Sequence, residues 1–133
     1  MKVLLVCLVT GFFLITVGFT VIQQPKPWVV PDAAAKKANP VKTSSESVSA
    51  GKALWNQHCS SCHGKMGMGD GSKAAQLKTN PGDFSTAAFQ SQSDGSLFYK
   101  VEEGHGDMPS FKKKIPDANE VWDLVNFMRT LKK

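Results

Sequence analysis

The chain has 133 residues, of which 41% are hydrophobic and 20% are charged, and its formal net charge is +5. Residues 1–46 hold five basic and two acidic side chains, whereas residues 47–133 hold eleven and nine, a surplus of two. So small a surplus gives no indication of a nucleic-acid partner. The length suffices for one small domain with a single hydrophobic core.

Residues 1–22 form the first segment, which begins with Met1 and Lys2 and continues as an apolar run from Val3 to Ile22. A charged start followed by such a run is typical of an export signal. Twenty apolar residues are also about the length that spans a bilayer. A cleaved signal peptide and an uncleaved membrane anchor therefore both remain open, and each predicts a location on the periplasmic side of the cytoplasmic membrane.

Residues 23–46 differ sharply in composition, with four prolines among small and charged side chains. This composition predicts a semi-extended tether. Trp28 and the Val29–Val30 pair are the exception, since they could pack on the following domain or lie at a membrane interface. A floppy linker with one stray aromatic residue is the alternative. The folded domain is expected over residues 47–133.

The domain opens with a predicted helix from Ala50 to His58, capped by Ser49, with Gly51, Leu54 and Trp55 at helical spacing. The motif Cys59-Ser60-Ser61-Cys62-His63 follows at once. Two thiols three residues apart and an adjacent imidazole are the attachment signature of a c-type haem. Each thiol can bond one vinyl group, and the imidazole can reach the iron.

Other interpretations of these cysteines explain the sequence less well. A structural zinc site would need a second Cys or His pair, and the remaining cysteine, Cys7, lies in the apolar run. A thioredoxin-like pair would need a βαβ pattern, and a disulfide would leave His63 unexplained. The sequence therefore predicts one covalent haem, held by Cys59 and Cys62 with His63 as an iron ligand.

Three weaker elements and one clear helix come next. Residues 64–71 are too glycine-rich for regular structure, a short helix is expected over residues 72–77, and residues 80–83 form a turn. A helix opens at Ser93–Asp94 with Leu97, Phe98 and Val101 on one face, and Gly104 ends it.

The last helix has the strongest pattern. Asp117 and Glu120 form a capping box, and five apolar residues follow at 3.6-residue spacing, while Asp123, Asn126 and Arg129 fall outside the apolar arc. These apolar residues are Val121, Leu124, Val125, Met128 and Leu131. Because no alternating strand is visible, the sequence predicts an all-α domain of three to five short helices around one haem.

The second axial ligand of the iron is predicted to be Met108. Met66 and Met68 follow His63 too closely to reach the opposite face of the ring, and Met128 belongs to a helix core. Met108 lies 45 residues after His63, beside Pro109 in a glycine-flanked segment. His105 remains the rival ligand, and methionine would give a higher potential than a second histidine.

With these features the chain resembles the small mono-haem class I c-type cytochromes. The resemblance covers about residues 48–131 and depends on the attachment motif, Met108-Pro109, Gly51-x-x-x-Trp55 and the last helix with Trp122 and Phe127. It implies that the first and last helices cross at Gly51, near Trp122 or Phe127.

The resemblance also implies that a proline carbonyl accepts a hydrogen bond from the proximal histidine, and Pro81 matches that role. Four apolar residues are further candidates for the haem pocket, although ordinary core packing explains each equally well. They are Phe84, Phe89, Leu97 and Phe111.

These features predict an electron-transfer protein, not an enzyme, that exchanges electrons with a respiratory donor complex and a terminal oxidase or reductase. Residues 3–22 would supply any membrane contact. Lys112, Lys113 and Lys114 either steer an acidic partner to the haem edge or simply keep a loop solvated. A gas-binding sensor with a labile sixth ligand is the alternative function, and a haem enzyme ranks last because no distal acid–base set is visible.

Overall fold

The computed structural model describes residues 28–133, which form six α-helices and one 3-10 turn and contain no β-strand. Five of the helices and the turn lie in residues 45–133, which agrees with the predicted all-α class. The helices are α1 (Asp32–Ala35), α2 (Ser45–His58), α3 (Ser60–His63), α4 (Ala87–Gln90), α5 (Asp94–Glu103) and α6 (Ala118–Thr130), and the 3-10 turn is Ala74–Gln76.

Helix α2 begins earlier than predicted. Its N-cap is Ser44, whose hydroxyl accepts a hydrogen bond from the Ser47 amide at 3.2 Å, and not the predicted Ser49. The buried positions Ser47, Gly51 and Trp55 recur every four residues, so the buried face of the helix starts with a serine. Because serine is polar, the apolar pattern of the sequence does not reveal this first turn of α2.

The packing of α2 against α6 is the centre of the fold. A Cβ placed on Gly51 would lie 2.1 Å from the Asp123 carbonyl oxygen and 2.9 Å from Cβ of Phe127. Glycine is therefore required where the two helix backbones approach each other. This close approach, expected from the family resemblance, lies at Asp123 and Phe127.

Helix α6 buries more of its surface than its apolar pattern predicted. Its N-cap Asp117 accepts from the Asn119 amide at 2.8 Å, and seven of its residues are buried. One of them is Asn126, which is 2% exposed, so its placement outside the buried arc was wrong. Its amide is buried because residues 39–47 surround it with hydrogen-bonding partners.

The shorter elements differ in how well the sequence predicted them. Helix α5 begins after its Ser93 cap and ends at Gly104, as predicted. The helix expected over residues 72–77 is reduced to the 3-10 turn Ala74–Gln76. Helix α4, capped by Thr86, was not predicted, because a single turn carries no hydrophobic period.

Residues 28–46 do not form the semi-extended tether that composition predicted. Helix α1 packs on α5, where the Ser93 hydroxyl donates to the Ala35 carbonyl at 2.6 Å. Farther along, Asn39 and Thr43 both donate to the Asn126 side chain, and Val41 packs against the core. These polar partners lie up to 87 residues apart in sequence, so local composition could not reveal them.

The predicted export signal or anchor, residues 1–22, lies outside the described residues, as does the start of the predicted tether at residues 23–27. Within residues 28–133, no helix has the length and apolarity needed to cross a bilayer.

Candidate haem site

The attachment motif lies where α2 passes into α3. Cys59 is the C-cap of α2 and the N-cap of α3, and its carbonyl accepts from the amides of Cys62 and His63 at 3.1 and 3.0 Å. Helical turns on both sides of Cys59 thus fix the spacing between the two thiols and the imidazole. The cysteines are not joined in a disulfide.

The glycine-rich loop after His63 folds back over the motif. The Trp55 indole donates to the Gly64 carbonyl at 2.9 Å, and the Gly69 amide donates to the His63 carbonyl at 2.9 Å. Gly64 has φ of +82°, and a Cβ there would lie 1.8 Å from a carboxylate oxygen of Asp70. The loop therefore needs glycine, and it holds the backbone of the motif in place.

The His63 imidazole lies among aromatic side chains. Its ring centroid is 4.8 Å from that of Phe84 and 5.7 Å from that of Trp55. Nδ1 is buried and makes no hydrogen bond of normal geometry. Burial lowers the pKa of the imidazole, and the nearby Pro81 carbonyl opposes this with a smaller effect. A neutral imidazole is the form that ligates iron.

The Cys59 thiol is almost completely buried, with 8% of the residue exposed. Burial, with a smaller effect of the neighbouring Cys62, raises its pKa to about 12. The sulfur is therefore uncharged at neutral pH, and a thioether would likewise place an uncharged sulfur there.

Two cavities meet at this motif, one of about 540 Å³ and one of about 380 Å³. The larger is lined by Cys59, Cys62, His63 and Met108, which are the four predicted attachment and ligand residues. The smaller also reaches His63 and Met108. Their volumes lie in the range of cofactor pockets.

The predicted pocket residues line these cavities as well. Phe84, Phe89 and Leu97 line the smaller cavity, and Phe111 lines the larger. The rings of Phe84 and Phe89 stack with centroids 3.9 Å apart. Pro81 lines both cavities, beside the imidazole it was expected to orient.

A tight turn presents Met108 to the cavities. The amides and carbonyls of His105 and Met108 pair with each other at 2.8 and 3.0 Å, and Gly106 between them has φ of +57°. The Asp107 carboxylate accepts from the Lys78 amide at 2.6 Å, and the Phe111 amide donates to the Val101 carbonyl. These hydrogen bonds therefore fix the position of the loop that carries Met108.

The other candidate ligands are placed less favourably. Met66 and Met68 are 60% and 43% exposed and line neither cavity. Met128 lines the smaller cavity but is buried in the helix core. His105 lines the larger cavity, yet its exposed ring stacks on Trp28 with centroids 5.1 Å apart.

Two lining residues were not predicted to belong to the site. Trp28 lines both cavities, and Lys100 lines the smaller, with Nζ 5.3 Å from the centroid of the Trp28 ring. Burial lowers the pKa of Lys100. An isolated aromatic residue at position 28 indicated in the sequence that this side chain could pack on the domain. The place where its ring packs depends on the fold and could not be predicted.

The residues therefore fit a haem with two thioether bonds. The His63 imidazole, two free thiols and the Met108 thioether converge on one cavity that Trp28 and Phe111 help to line. This combination of an all-α fold and an attachment motif at a helix junction defines a haem-carrying domain.

Comparison with known families agrees with this class. Residues 46–128 match the model of the family described as cytochrome c oxidase, cbb3-type, subunit III. The chain belongs to this family of c-type cytochrome domains, so it carries a covalently bound haem c and takes part in haem-based electron transfer.

Solved structures show the same likeness. The chain is 33% identical to the KustC0563 c-type cytochrome, covering 62% of this chain and 98% of that one, with a TM-score of 0.55. A mutant of Kustc0563 gives 30% identity, 62% and 99% coverage and a TM-score of 0.53.

A longer relative matches more of this chain. A chain of the Kuenenia stuttgartiensis reducing HAO-like protein complex Kustc0457/Kustc0458 is 26% identical over 84% of this chain, with a TM-score of 0.65. The present chain spans about half of that relative, 53%. No curated protein matches the sequence.

Proposed function

We propose that the protein is a one-electron carrier whose haem c is bonded to Cys59 and Cys62 and ligated by His63 and Met108. The observation that carries this proposal is the convergence of these four side chains on one cavity. The bound haem supplies the Fe(III)/Fe(II) couple. The protein supplies the ligands, the aromatic walls and the hydrogen bonds that set its potential.

The surrounding residues suit electron transfer better than bond-making chemistry. Backbone hydrogen bonds fix the turn that carries Met108 and the motif that carries His63, so each side chain has a fixed place from which it could ligate the iron. Six-coordinate iron favours electron transfer over oxygen chemistry. The HAO-like complex among the structural relatives shows that such domains also occur within larger assemblies.

We further propose that the domain works on the periplasmic side of the cytoplasmic membrane, between a respiratory donor complex and a terminal oxidase or reductase. The apolar run at residues 3–22 supports export, as either a signal or an anchor. The haem-binding part of the domain is proposed over residues 47–133, next to the start of the family match at residue 46, and residues 28–46 pack against it.

Two measurements on protein matured in a host that attaches haem c test this proposal. Its mass should contain one haem that acidified acetone cannot extract, and the same mass fixes the N-terminus. The ferric spectrum should show the weak band at the red end that sulfur ligation produces. Extractable pigment would overturn covalent attachment, and high-spin ferric iron would favour the gas-binding alternative.

Replacing Met108 by alanine tests the ligand assignment directly. Because thioether ligation raises the potential relative to histidine or water, Met108→Ala should abolish the red band and lower the midpoint potential. Met66→Ala, at an exposed residue outside both cavities, is the control and should leave both unchanged. An unaltered potential in Met108→Ala would exclude Met108 as the ligand.

A further inference from the structure

The position of Trp28 links the N-terminal segment to the haem site. Four described residues line both cavities: His63, Pro81, Met108 and Trp28. The first three are the two proposed iron ligands, His63 and Met108, and the proline expected to orient His63. Trp28 thus lies where the axial ligands converge, although it precedes the family match at residues 46–128.

Contacts on two sides hold the Trp28 indole. The ring stacks on His105 with an interplanar angle of 27° and a centroid distance of 5.1 Å, and Lys100 places Nζ 5.3 Å from the indole centroid. The Lys100 ammonium also donates to the Gln92 side chain at 2.5 Å. Aromatic stacking and cation–π contacts are both attractive, so the indole has a defined place.

The segment that carries Trp28 is itself built into the domain. The Ala34 carbonyl lies 2.2 Å from the position of a Cβ on Gly95, so α5 needs a glycine to let α1 approach. Lys37 Nζ lies 4.1 Å from the centroid of the Phe98 ring. The position of Trp28 is therefore supported by packing on both α5 and the core.

We propose that Trp28 is a haem-pocket positioning residue: its indole closes the cavity beside Met108 and, through His105, steadies the turn that presents this ligand. The inference rests on the proposed ligation by Met108. When haem is bound, a bulky ring beside Met108 would keep water out of this side of the pocket, and burial is one means by which a protein sets the potential of a haem. Removal of the indole would open this side of the pocket.

The experiment compares the holoprotein variants Trp28→Ala, Trp28→Phe and Val29→Ala by imidazole titration of the ferric form, midpoint potential and the red band. Trp28→Ala should bind imidazole at least tenfold more tightly and have a lower potential. Trp28→Phe should have an imidazole affinity and a midpoint potential close to those of the wild type, because it keeps an aromatic ring. Val29 is 75% exposed and lines neither cavity. Val29→Ala should therefore leave the imidazole affinity, the midpoint potential and the red band unchanged.

Because Trp28→Ala could mature poorly, His105→Ala gives a second test. It removes the stacking partner from an exposed position and should raise imidazole affinity in the same direction. Wild-type imidazole affinity and potential in both alanine variants would overturn the inference. If the wild-type protein itself lacks the red band or covalent haem, the proposed function fails instead, so the two failures are distinguishable.

Discussion

Asn126 shows how one side chain joins the N-terminal segment to the haem domain. Its Nδ2 donates to the Ser47 hydroxyl at 2.8 Å and the Val41 carbonyl at 3.2 Å, while its Oδ1 accepts from Asn39 and Thr43. All four hydrogen-bonding positions of the amide are used. A buried polar group so placed is stabilising only while every partner remains.

Changing Asn126 to aspartate should destabilise the fold by about 2–4 kcal/mol, because a buried carboxylate replaces the donor that the Val41 carbonyl and Ser47 need. Denaturant unfolding of the holoprotein, followed by haem absorbance, measures the change. Asn119→Asp makes the same chemical change at an exposed residue and should stay within about 0.5 kcal/mol of wild type. Equal stabilities for the two variants would contradict the hydrogen-bonding role.

The proposed haem-binding residues were the easiest to identify from sequence, because the attachment motif is contiguous and chemically specific. Met108 could be reached by eliminating the other methionines. Asn126 and Trp28 could not be placed, because their partners lie far along the chain. The hydrophobic pattern of a helix depends on that helix alone, so it cannot show which groups of a distant segment pack against a given residue.

At the scale of elements, the crossing of α2 and α6 depends on Gly51. A Cβ there would lie 2.1 Å from the Asp123 carbonyl oxygen, so the helices must move apart to accept it. Since both helices frame the aromatic cluster around Trp55, their separation would also loosen the backbone that follows into the attachment motif.

Gly51→Ala should therefore lower the free energy of unfolding by about 1–3 kcal/mol, even though alanine is the better helix former by about 1 kcal/mol. Chemical denaturation of the holoprotein measures the sum of these effects. Ala53→Gly, at an exposed position on the same helix, measures the difference in helix propensity between alanine and glycine without the packing effect. If Gly51→Ala were more stable than wild type, the close approach of α2 and α6 would be disproved.

Gly95 tests the docking of α1 in the same way. Because a Cβ would lie 2.2 Å from the Ala34 carbonyl oxygen, Gly95→Ala should displace α1 while favouring helix α5 itself. Trypsin should then cleave after Lys36 and Lys37 roughly tenfold faster, which corresponds to about 1.4 kcal/mol of weakened docking. Cleavage after Lys52, within α2, is the internal reference, and equal acceleration at both places would indicate global unfolding instead.

Element prediction succeeded where hydrophobic period and capping agree. Helix α5 has a serine cap, an apolar face and a terminal glycine. Helix α6 has an Asp cap and four of the five regularly spaced apolar residues, and the fifth, Leu131, is its C-cap. Helices α1, α3 and α4 have four residues each. A single turn is too short to show a period, and its stability depends on tertiary contacts.

At the scale of the whole molecule, the lysines after the Met108 turn are not equivalent. Lys112 is paired with Glu103, whereas Lys114 lines the larger cavity and lies 5.3 Å from the Phe111 ring centroid. Lys114 therefore places positive charge at the mouth of the haem pocket, where it can attract an anionic reactant.

Ferricyanide, a small anionic oxidant, tests this charge without a natural partner. Lys114→Glu should slow oxidation of the reduced holoprotein several-fold at low ionic strength, and the difference should disappear near 1 M salt, where the Debye length is about 3 Å. Lys52→Glu, at an exposed residue outside both cavities, makes the same change in net charge. If it slows oxidation equally, net charge and not position is responsible.

The location of Trp28 at the cavity limits how the domain could move on a retained anchor. Ile22, the last residue of the apolar run, and Trp28 are six residues apart, and a stretched chain of that length covers about 20 Å. If residues 1–22 were retained as an anchor, this short link would keep the haem site close to the bilayer surface. Redox partners embedded in that same membrane would then meet the haem site with little need for the domain to move.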